Sequence, residues 1–386
     1  MLNIKDFKNI NEFYNYLKKN KISNKTKLVS DNEDYTNLFR FMVYYKKELL
    51  KLQRELYKYN ETLHSNDNKI VESAINKLIY MNADGKFLRG CLIELGYKHK
   101  YDDDYAKNLS VAYETFETSI LIHDDIIDNS LLRRGKETIP TLYNKELNNK
   151  DNTHNALGIC IGDLGFYFTN DLIIKKYKNH KRFIELFNYY NNIVINTIKG
   201  EIIDIYLPYK EKHDRNNILN EKDIMEIYRL KTSWYSIVGP FCLGMLLGNS
   251  SKKDISLMER ILEPLGIAFQ IKDDILGIFS SKEVLGKPVY SDIEEFKQTI
   301  LYSYIKINKK DYYDKLLKYY GKQNITEKES KYIQNIIIES GSLEYAQNKM
   351  NELFNEAKSN IESLNIKKDI KDILLGIIVY LNIREK

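Results

Sequence analysis

The stretch Leu121-Ile122-His123-Asp124-Asp125-Ile126-Ile127-Asp128 places three carboxylates directly after an apolar run. An α-helix turns once in about 3.6 residues, so Asp124 and Asp128 would share one face with Asp125 beside them. Carboxylates this close repel one another and resist burial, and a hard divalent cation such as Mg²⁺ would relieve the repulsion. A solvated acidic helix end is the alternative interpretation, and it accounts for most isolated DDxxD strings.

Two further features favour the metal interpretation. Arg133 and Arg134 follow the acids closely, and their forked donors suit a second anionic group. A second acidic pair, Asp273-Asp274, again follows an apolar helical run, from Leu262 to Phe269. Two separated Asp clusters on two apolar helices predict one metal–diphosphate site to which both contribute.

Composition indicates the fold class. The chain of 386 residues is 43% hydrophobic and has only 5 prolines, and its apolar residues recur mainly at helical intervals, so we predict an all-α protein. The net charge of +5 is spread among acidic residues, which argues against nucleic-acid binding. No apolar stretch reaches membrane-spanning length and the N-terminus has no signal-peptide core, so we expect no integral membrane segment.

The cysteines and the polar N-terminus indicate the compartment and the domain organisation. Cys91, Cys160 and Cys242 are isolated in apolar surroundings, so we interpret them as core residues in a reducing compartment and expect a cytoplasmic protein. Residues 1–34 are polar apart from one short amphipathic piece, and we interpret them as an N-terminal extension. Residues 35–386 contain no linker and are predicted to form a single helical domain.

Apolar periodicity predicts helices over residues 35–63, 68–81, 86–98, 104–128, 155–176, 183–207, 221–248, 328–339, 343–363 and 367–383. The polar segments 138–155, 208–220 and 280–295 are predicted to be loops.

Three cations are candidates for anion binding. Lys86 and Arg89 are three residues apart near a helix start, where backbone N–H groups and the helix dipole also favour an anion. Taken alone they would be two solvated cations, but two acidic metal clusters in the same chain favour a diphosphate-binding role. Lys231 lies among apolar residues, which is unfavourable unless it meets an anion.

The ordered motifs GKxxR, DDxxD, RR, KT, FQxxDD and GKPxxSDI together resemble the trans-isoprenyl diphosphate synthases, over about residues 40–386. This family includes farnesyl, geranylgeranyl and longer polyprenyl diphosphate synthases. The resemblance implies the isoprenoid synthase fold, with antiparallel helices around a deep central cavity, and usually a homodimer. It also implies a head-to-tail prenyltransferase that joins isopentenyl diphosphate to dimethylallyl, geranyl or farnesyl diphosphate.

The resemblance also assigns roles to matching residues. It implies three Mg²⁺ ions, for which Mn²⁺ could substitute. The implied metal ligands are Asp124, Asp128 and Asp273, with Asp125, Asp274 and Asp292 ordering water ligands. The implied allylic diphosphate contacts are Arg133, Lys231, Thr232, Gln270 and Lys287. The implied isopentenyl diphosphate contacts are Lys86, Arg89, Arg134 and Glu117. The implied catalytic set is Asp124, Asp125, Asp128, Lys231 and Asp273. The basic tail Arg384 and Lys386 resembles one that closes the site in some members.

Three positions depart from the family pattern. Glu117 stands where the family usually has His or Gln, close to the expected isopentenyl diphosphate site. A carboxylate is unwelcome there unless it is protonated or turned toward Lys86 or Arg89. Gly277 replaces the last Asp of the second cluster, and Glu201 stands where Gln is common.

Residues before the first cluster bear on product length. Short-product members often have an aromatic residue four or five positions before it, where this chain has Ile120 and Ser119. Phe116 lies one turn deeper, about 5.4 Å, and is a candidate floor for the growing chain. We therefore expect geranylgeranyl diphosphate or a somewhat longer product. If Phe116 is ordinary core, longer polyprenyl products are favoured.

Two alternatives stay open from the sequence. A class I terpene cyclase also carries an Asp-rich cluster, but it needs no second diphosphate site of the kind that Lys86, Arg89 and the Arg133-Arg134 pair suggest. A non-catalytic subunit of a heteromeric prenyl synthase would usually lose the Asp clusters, which are retained here, although Glu117 keeps that alternative open.

Overall fold

The computed structural model describes residues 2–3, 28–29, 33–64, 68–83, 85–148, 151–213, 220–280 and 291–383. Most of these residues are helical, which confirms the all-α prediction. Two short strand pairs are present: β1 (Leu2–Asn3) runs parallel to β2 (Leu28–Val29), and β3 (Leu132–Arg133) runs antiparallel to β4 (Lys136–Glu137).

The helices before residue 214 are α1 (Glu33–His64), α2 (Lys69–Ala83), α3 (Leu88–Lys98), α4 (Lys107–Ile127), α5 (Ile139–Leu147), α6 (Thr153–Tyr177) and α7 (Phe183–His213). The later helices are α8 (Glu221–Ile227), a π-helix (Tyr228–Val238), α9 (Gly239–Leu247), α10 (Lys252–Phe279), α11 (Ser291–Glu294), α12 (Ile300–Asn308), α13 (Lys310–Leu316), α14 (Glu327–Glu339), α15 (Ser342–Ser363) and α16 (Lys368–Ile383).

The chain divides into two compact units. The first unit comprises Met1–Phe187, Pro240–Ser251 and Asn365–Val379, and the second comprises Asn188–Gly239, Lys252–Leu364 and Tyr380–Lys386. The organisation into an extension over 1–34 and one domain over 35–386 stays a prediction. The amphipathic piece of that extension lies outside the described residues.

The core of the first unit lies between α2, α4, α5 and α6. Its buried side chains are Ile75, Leu78, Met81, Ile122, Ile139, Tyr143, Ile161 and Phe168. Helix α4 packs against α6 and α3. The contact with α6 is close, because a Cβ atom at Gly165 would lie 2.1 Å from Oγ of Ser119. This packing fixes the helix that carries the first acidic cluster.

Among the described helices, α6 is the one whose length and apolar composition would allow it to cross a membrane. This differs from the expectation that no apolar stretch reaches that length. Core helices meet the same criterion, and Ile161, Phe168 and Ile173 of α6 are buried. Packing within the first unit therefore accounts for part of the apolar composition of this helix, whereas Ile159, Tyr167 and Ile174 are exposed.

The core of the second unit is built around α10, which packs against the π-helix and α15. Leu262 and Leu265 of α10 are fully buried, as is Ala357 of α15, and Phe354 is nearly so. Helix α10 carries the second acidic cluster near its C-terminal end, so this core fixes the position of that cluster.

Four predicted segments were wrong in part. The loop predicted over 280–295 contains the short helix α11 in its described part. The predicted loop 138–155 contains α5, because the side chain of Thr138 accepts a hydrogen bond from Thr141 N and Pro140 stands at the start of the helix. Helix α7 continues through Pro208 to His213, where a loop was predicted. The single helix predicted over 221–248 is divided by the π-helix.

The cysteine prediction holds for two of the three residues. Cys91 and Cys242 are buried, as core residues should be, but Cys160 is exposed on α6. Cys160 follows an exposed Ile159, so its apolar sequence surroundings did not indicate burial.

Candidate functional site

The first acidic cluster lies at the C-terminal end of α4. The backbone N–H of Asp128 donates to the carbonyl oxygen of Asp124 at 2.9 Å, which closes the last turn and keeps the two residues on one side of the helix. Arg133 folds back onto the acids: its Nη2 donates to Asp124 and its Nε to Asp125, each at 2.7 Å. The predicted diphosphate contact Arg133 therefore pairs with one predicted metal ligand, Asp124, and with Asp125, which was predicted to order water ligands.

A tight hairpin points the two arginines of the Arg133-Arg134 pair in different directions. Arg134 and Gly135 join β3 to β4 with φ angles of 55° and 77°, as in the two-residue turns that favour glycine and asparagine. Left-handed φ in a non-glycine residue such as Arg134 costs roughly 1–3 kcal/mol. Such strain is common at functional sites. The hairpin was not predicted, and Gly135 after the arginine pair was its signal.

Asp125 is 1% exposed, and this burial is the main perturbation of its carboxyl. Burial raises the pKa of Asp125 to about 6, and the charges of Asp124 and Asp128 raise it further against the opposing effect of Arg133. Its Oδ2 atom is buried without a hydrogen-bond partner. Arg133 therefore offsets the burial of Asp125 only in part, and a bound cation would further stabilise its charged form.

Glu117 connects the two other predicted diphosphate-binding arginines. Its Oε1 accepts from Nη1 of Arg89 at 2.8 Å and from Nη2 of Arg134 at 3.2 Å. The carboxylate is turned toward the cations, which is one of the two conditions that the sequence set for it. Lys86 is half-buried, three residues before Arg89 in the chain. The first unit thus brings Arg89, Arg134 and Glu117 together.

Glu114 is a further member of this group that the sequence did not single out. It is 1% exposed, and its Oε1 accepts from the backbone N–H of Gly90 at 2.6 Å. Burial raises the pKa of Glu114 well above its usual range, and the charge of the neighbouring Glu117 raises it further. The three-residue spacing of Glu114 and Glu117 on α4 was the signal available in the sequence.

In the second unit, Lys231 meets two carboxylates. Its Nζ lies 2.8 Å from Oε2 of Glu201 and 2.6 Å from Oδ2 of Asp204. The sequence predicted that Lys231 must meet an anion, and these two acids of α7 satisfy the requirement within the protein. Asp204 was not identified as a site residue, although its spacing from Glu201 places both on one helix face.

The π-helix that carries Lys231 and Thr232 is closely approached by glycines. A Cβ atom at Gly200 of α7 would lie 2.7 Å from the backbone nitrogen of Lys231, and one at Gly266 of α10 would lie 2.5 Å from Cα of Ser233. Segments of π-helix often occur at functional sites. Here the turns of the π-helix and the close approach of the two glycines together fix the positions of Lys231 and Thr232.

The second acidic cluster is part of a hydrogen-bonded network. Asp274 accepts from the Tyr228 hydroxyl and, at 2.8 Å, from Nε2 of Gln270. The Gln270 side chain in turn accepts from the Thr232 hydroxyl. The hydroxyl of Tyr228 also accepts from the backbone N–H of Ile300 at 2.8 Å. Thr232, Gln270 and Asp274 are thus brought together as predicted, and Tyr228 is an addition.

The pKa of Asp274 in this cluster is strongly raised. Burial raises the pKa of Asp274 to about 8, and the nearby charges of Asp292 and Asp273 contribute to the rise. Asp273 is half-buried. A cation bound at this cluster would stabilise the charged form of Asp274.

A neighbouring acid fills the space beside Gly277, the position at which this chain departs from the family pattern. A Cβ atom at Gly277 would lie 2.6 Å from Oδ2 of Asp292, so the carboxylate of Asp292 occupies the space beside that position. Nζ of Lys297 lies 3.9 Å from Asp292. Of the remaining predicted contacts, Lys287, Arg384 and Lys386 lie outside the described residues.

The residues predicted to set product length lie on α4. Phe116 is fully buried and packs edge-on against Tyr113, with ring centroids 5.2 Å apart. Ser119 is also fully buried, where it faces Gly165 of α6. Ile120 is half-buried. The small size of Ser119 is therefore required by the packing of α6, whatever its effect on product length.

The described ranges contain no group of three His, Cys, Asp or Glu side chains arranged to hold a metal ion by themselves. Arg133 contacts one oxygen each of Asp124 and Asp125. The carboxylate oxygens of both clusters are nevertheless the ligand type that Mg²⁺ prefers, and Mg²⁺ commonly completes its shell with water and substrate phosphates.

Comparisons with known proteins agree on one family. The polyprenyl synthetase family matches residues 68–337. Geranylgeranyl diphosphate synthase of Sulfolobus acidocaldarius is 30% identical over 278 residues, which cover 71% of this chain and 79% of the relative. Geranylfarnesyl diphosphate synthase of Aeropyrum pernix is 27% identical, covering 70% of this chain and 81% of the relative.

The fold is shared with solved structures. A geranylgeranyl pyrophosphate synthase from Corynebacterium glutamicum, complexed with isoprenyl diphosphate and magnesium, superimposes with a TM-score of 0.80. The match covers 88% of this chain and 98% of that protein at 21% identity. At that identity the likeness establishes the fold alone.

Proposed function

Because this chain belongs to the polyprenyl synthetase family and is an isoprenyl diphosphate synthase, we propose that it condenses isopentenyl diphosphate head-to-tail with an allylic diphosphate. Relatives that make geranylgeranyl and geranylfarnesyl diphosphate support a product of that length or somewhat longer. Dimethylallyl, geranyl and farnesyl diphosphate are the proposed primers. The observation that carries the proposal is the 30% identity to a geranylgeranyl diphosphate synthase over 71% of the chain.

The two acidic clusters fit divalent metal ions. The Asp125 carboxyl has a buried oxygen without a hydrogen-bond partner, and burial together with the nearby charges of Asp292 and Asp273 raises the pKa of Asp274 to about 8. A cation bound beside either carboxyl would stabilise its charged form. We propose three Mg²⁺ ions, replaceable by Mn²⁺, with Asp124, Asp128 and Asp273 as ligands and with Asp125, Asp274 and Asp292 ordering their waters. When bound, the metal ions stabilise the negative charge that develops on the leaving diphosphate.

The cationic side chains have separate proposed roles. Arg133, Lys231 and Lys287 bind the allylic diphosphate and stabilise its charge as the C–O bond breaks. Thr232 and Gln270 orient that substrate. The Nε and Nη2 atoms of Arg133 contact Asp125 and Asp124 at 2.7 Å, so the allylic diphosphate would share this guanidinium group with the two acids or displace them from it.

The second diphosphate is bound by Lys86, Arg89 and Arg134, as we propose, with Glu117 beside them. The double bond of isopentenyl diphosphate then attacks the allylic carbon, and a proton is lost. No His or Cys base is needed, because the released diphosphate can accept that proton. Apolar surroundings would protect the allylic cation from water.

The two alternatives are weaker. A terpene cyclase has no use for a second diphosphate subsite, and Arg89 and Arg134 converge on one carboxylate oxygen in the first unit. A non-catalytic subunit would not need the carboxylates of either cluster, which this chain retains.

We also propose a homodimer in the cytoplasm. Exposed apolar residues on α7 follow the 3-4-3-4 spacing of a helix-pairing seam, namely Ile195, Ile198, Ile202, Ile205 and Tyr209. An exposed apolar stripe of this kind usually marks an interface. Cys91, Cys160 and Cys242 form no disulfide bond, which supports a reducing compartment.

A product assay tests the proposed function. Labelled isopentenyl diphosphate is supplied with each of the three primers, with Mg²⁺ or with EDTA, and the extracted products are separated by chromatography. We expect label in a chain of geranylgeranyl length or somewhat longer, and only with the metal. A cyclic hydrocarbon would support the cyclase, and the absence of turnover would support the subunit.

A further inference from the structure

We propose that Glu117 is an internal competitor for the isopentenyl diphosphate subsite. Its carboxylate holds Arg89 and Arg134 in the substrate-free protein, and the incoming diphosphate displaces it with uptake of one proton. This inference rests on the proposed function, because it assumes that the two arginines bind isopentenyl diphosphate.

Geometry supports the competition. A single oxygen of Glu117 accepts from both guanidinium groups, at 2.8 Å from Arg89 and 3.2 Å from Arg134. The Glu117 side chain is 7% exposed, whereas the Arg134 side chain is 30% exposed. The carboxylate therefore lies on the inner side of the arginines, and a ligand from solvent would reach their outer side first.

Charge decides what happens when a diphosphate arrives. Two arginines shared between a buried carboxylate and a diphosphate face two anions that repel each other. A buried carboxylate that loses its cationic partners is strongly destabilised and takes up a proton. One proton from solvent then converts Glu117 to the neutral acid, and the diphosphate keeps both arginines.

The neighbouring Glu114 sets the starting protonation state. Burial alone would raise the pKa of Glu117, but the positive charges of Arg89 and Arg134 outweigh it and hold that pKa below its usual range. Glu114 shares a hydrogen bond with Glu117, and its own pKa is raised by burial and by the Glu117 charge. The substrate-free pair therefore carries one proton, on Glu114, and one negative charge, on Glu117.

The surroundings contain few other charges that could substitute for Glu117. Arg133 is the third cation acting on it. From α1, the buried Lys46 acts on the neighbouring Cys91. Helix α6 meets α4 through the uncharged Gly165 and Thr169 and through Asp163, whose Oδ1 lies 3.5 Å from Nε2 of His123. Helix α2 contributes the neutral Asn82 to the backbone of Glu114.

The consequence is a pH dependence of unusual sign. If one proton is taken up when isopentenyl diphosphate binds, the dissociation constant of isopentenyl diphosphate rises by up to about tenfold for each unit of increasing pH. A diphosphate gains negative charge as pH rises through its last pKa, near 6 for phosphate groups, and that effect alone would tighten binding to arginines. The proposed exchange therefore predicts the opposite direction.

Titration calorimetry of the full chain tests the inference. Isopentenyl diphosphate is titrated at pH 7 in two buffers of different ionisation enthalpy, which gives the number of protons exchanged. We expect the wild type to take up about one proton more than Glu117→Gln, and Glu117→Gln to bind about tenfold more tightly. The matched control is Glu114→Gln, which imitates the protonated acid and should retain the wild-type proton uptake.

Two results would overturn the inference: equal proton numbers in the wild type and Glu117→Gln, or weaker binding by Glu117→Gln. Should that variant fail to fold, the wild-type KM for isopentenyl diphosphate between pH 6 and 9 decides instead. A rise relative to the KM of the allylic substrate supports the exchange, and a fall or a constant ratio contradicts it. Absence of any product in the wild type would instead contradict the proposed function.

Discussion

At the scale of single residues, charge repulsion links the sequence to the candidate site. The acidic stretch at Asp124 was informative because its carboxylates lack nearby cations along the helix. The structure supplies Arg133 as the missing cation and leaves an oxygen of Asp125 without a partner. The sequence could predict that these acids need a cation, but not which arginine reaches them, because that depends on the turn at Arg134-Gly135.

The same limit applies to Lys231 and Glu117. Both are charged residues in unfavourable surroundings, and the sequence predicted that each would need a partner. Lys231 meets Asp204, and Glu117 meets Arg134, because the fold packs segments that are distant in the sequence against each other. Sequence spacing reports neighbours on one helix and says little about contacts between helices.

Product length gives a prediction at this scale. Phe116→Ala should lengthen the product by at least one five-carbon unit, because removal of the buried ring opens space about two turns below the first cluster. Ile120→Phe should shorten it, since the half-buried position 120 can accept a ring. Chromatography of the products measures both.

Ser119→Phe is a poor substitute for Ile120→Phe, because Ser119 lies against Gly165 and a ring there would separate α4 from α6. Unchanged product length in Phe116→Ala would remove Phe116 as the floor and leave it as ordinary core.

At the scale of elements, periodicity located most helices to within a few residues. The predicted helices over 68–81, 155–176 and 343–363 correspond to Lys69–Ala83, Thr153–Tyr177 and Ser342–Ser363. The failures have local causes: a threonine cap and a proline begin α5 inside a polar segment. The π-helix could not be predicted, because apolar spacing over 221–248 reads as one continuous helix.

The π-helix gives a prediction at the scale of elements. Gly266→Ala should lower the free energy of unfolding by about 2 kcal/mol, a typical cost of overpacking a core. The reason is that the new Cβ would lie 2.5 Å from Cα of Ser233, which is backbone and cannot rotate away. Denaturant unfolding measures the change, and Lys231-dependent activity should fall with it.

Gly248→Ala is the matched control. Its Cβ would have no neighbour closer than 3.4 Å, so we expect stability within about 0.5 kcal/mol of the wild type, as for most uncrowded substitutions. Equal effects of the two substitutions would mean that close approach to the π-helix is unimportant.

At the scale of the whole molecule, the family assignment rests on the order of the motifs as much as on sequence identity. Six short motifs, each weak alone, occur in one order along the chain, and the polyprenyl synthetase match spans residues 68–337. The two acidic clusters belong to different compact units. Binding experiments therefore have to test whether the two clusters act on the same substrate.

The exposed stripe on α7 gives a prediction about assembly. The wild type should sediment as a dimer at micromolar concentration, because burial of the stripe removes apolar surface from water. The double variant Ile198→Glu, Ile202→Glu should sediment as a monomer, whereas the double variant Lys328→Glu, Lys331→Glu, on the exposed side of α14, should not change the state. A wild-type monomer would contradict the dimer.

The central claim is that both acidic clusters bind the same allylic diphosphate through divalent metal ions. The most direct measurement is the affinity for an unreactive allylic thiolodiphosphate, with Mg²⁺ or EDTA, in the wild type, Asp124→Asn and Asp273→Asn. We predict tight binding by the wild type only with Mg²⁺, and a loss of at least about tenfold in each variant, as for disrupted metal sites. Wild-type affinity in either variant, or equal affinity in EDTA, would contradict the claim.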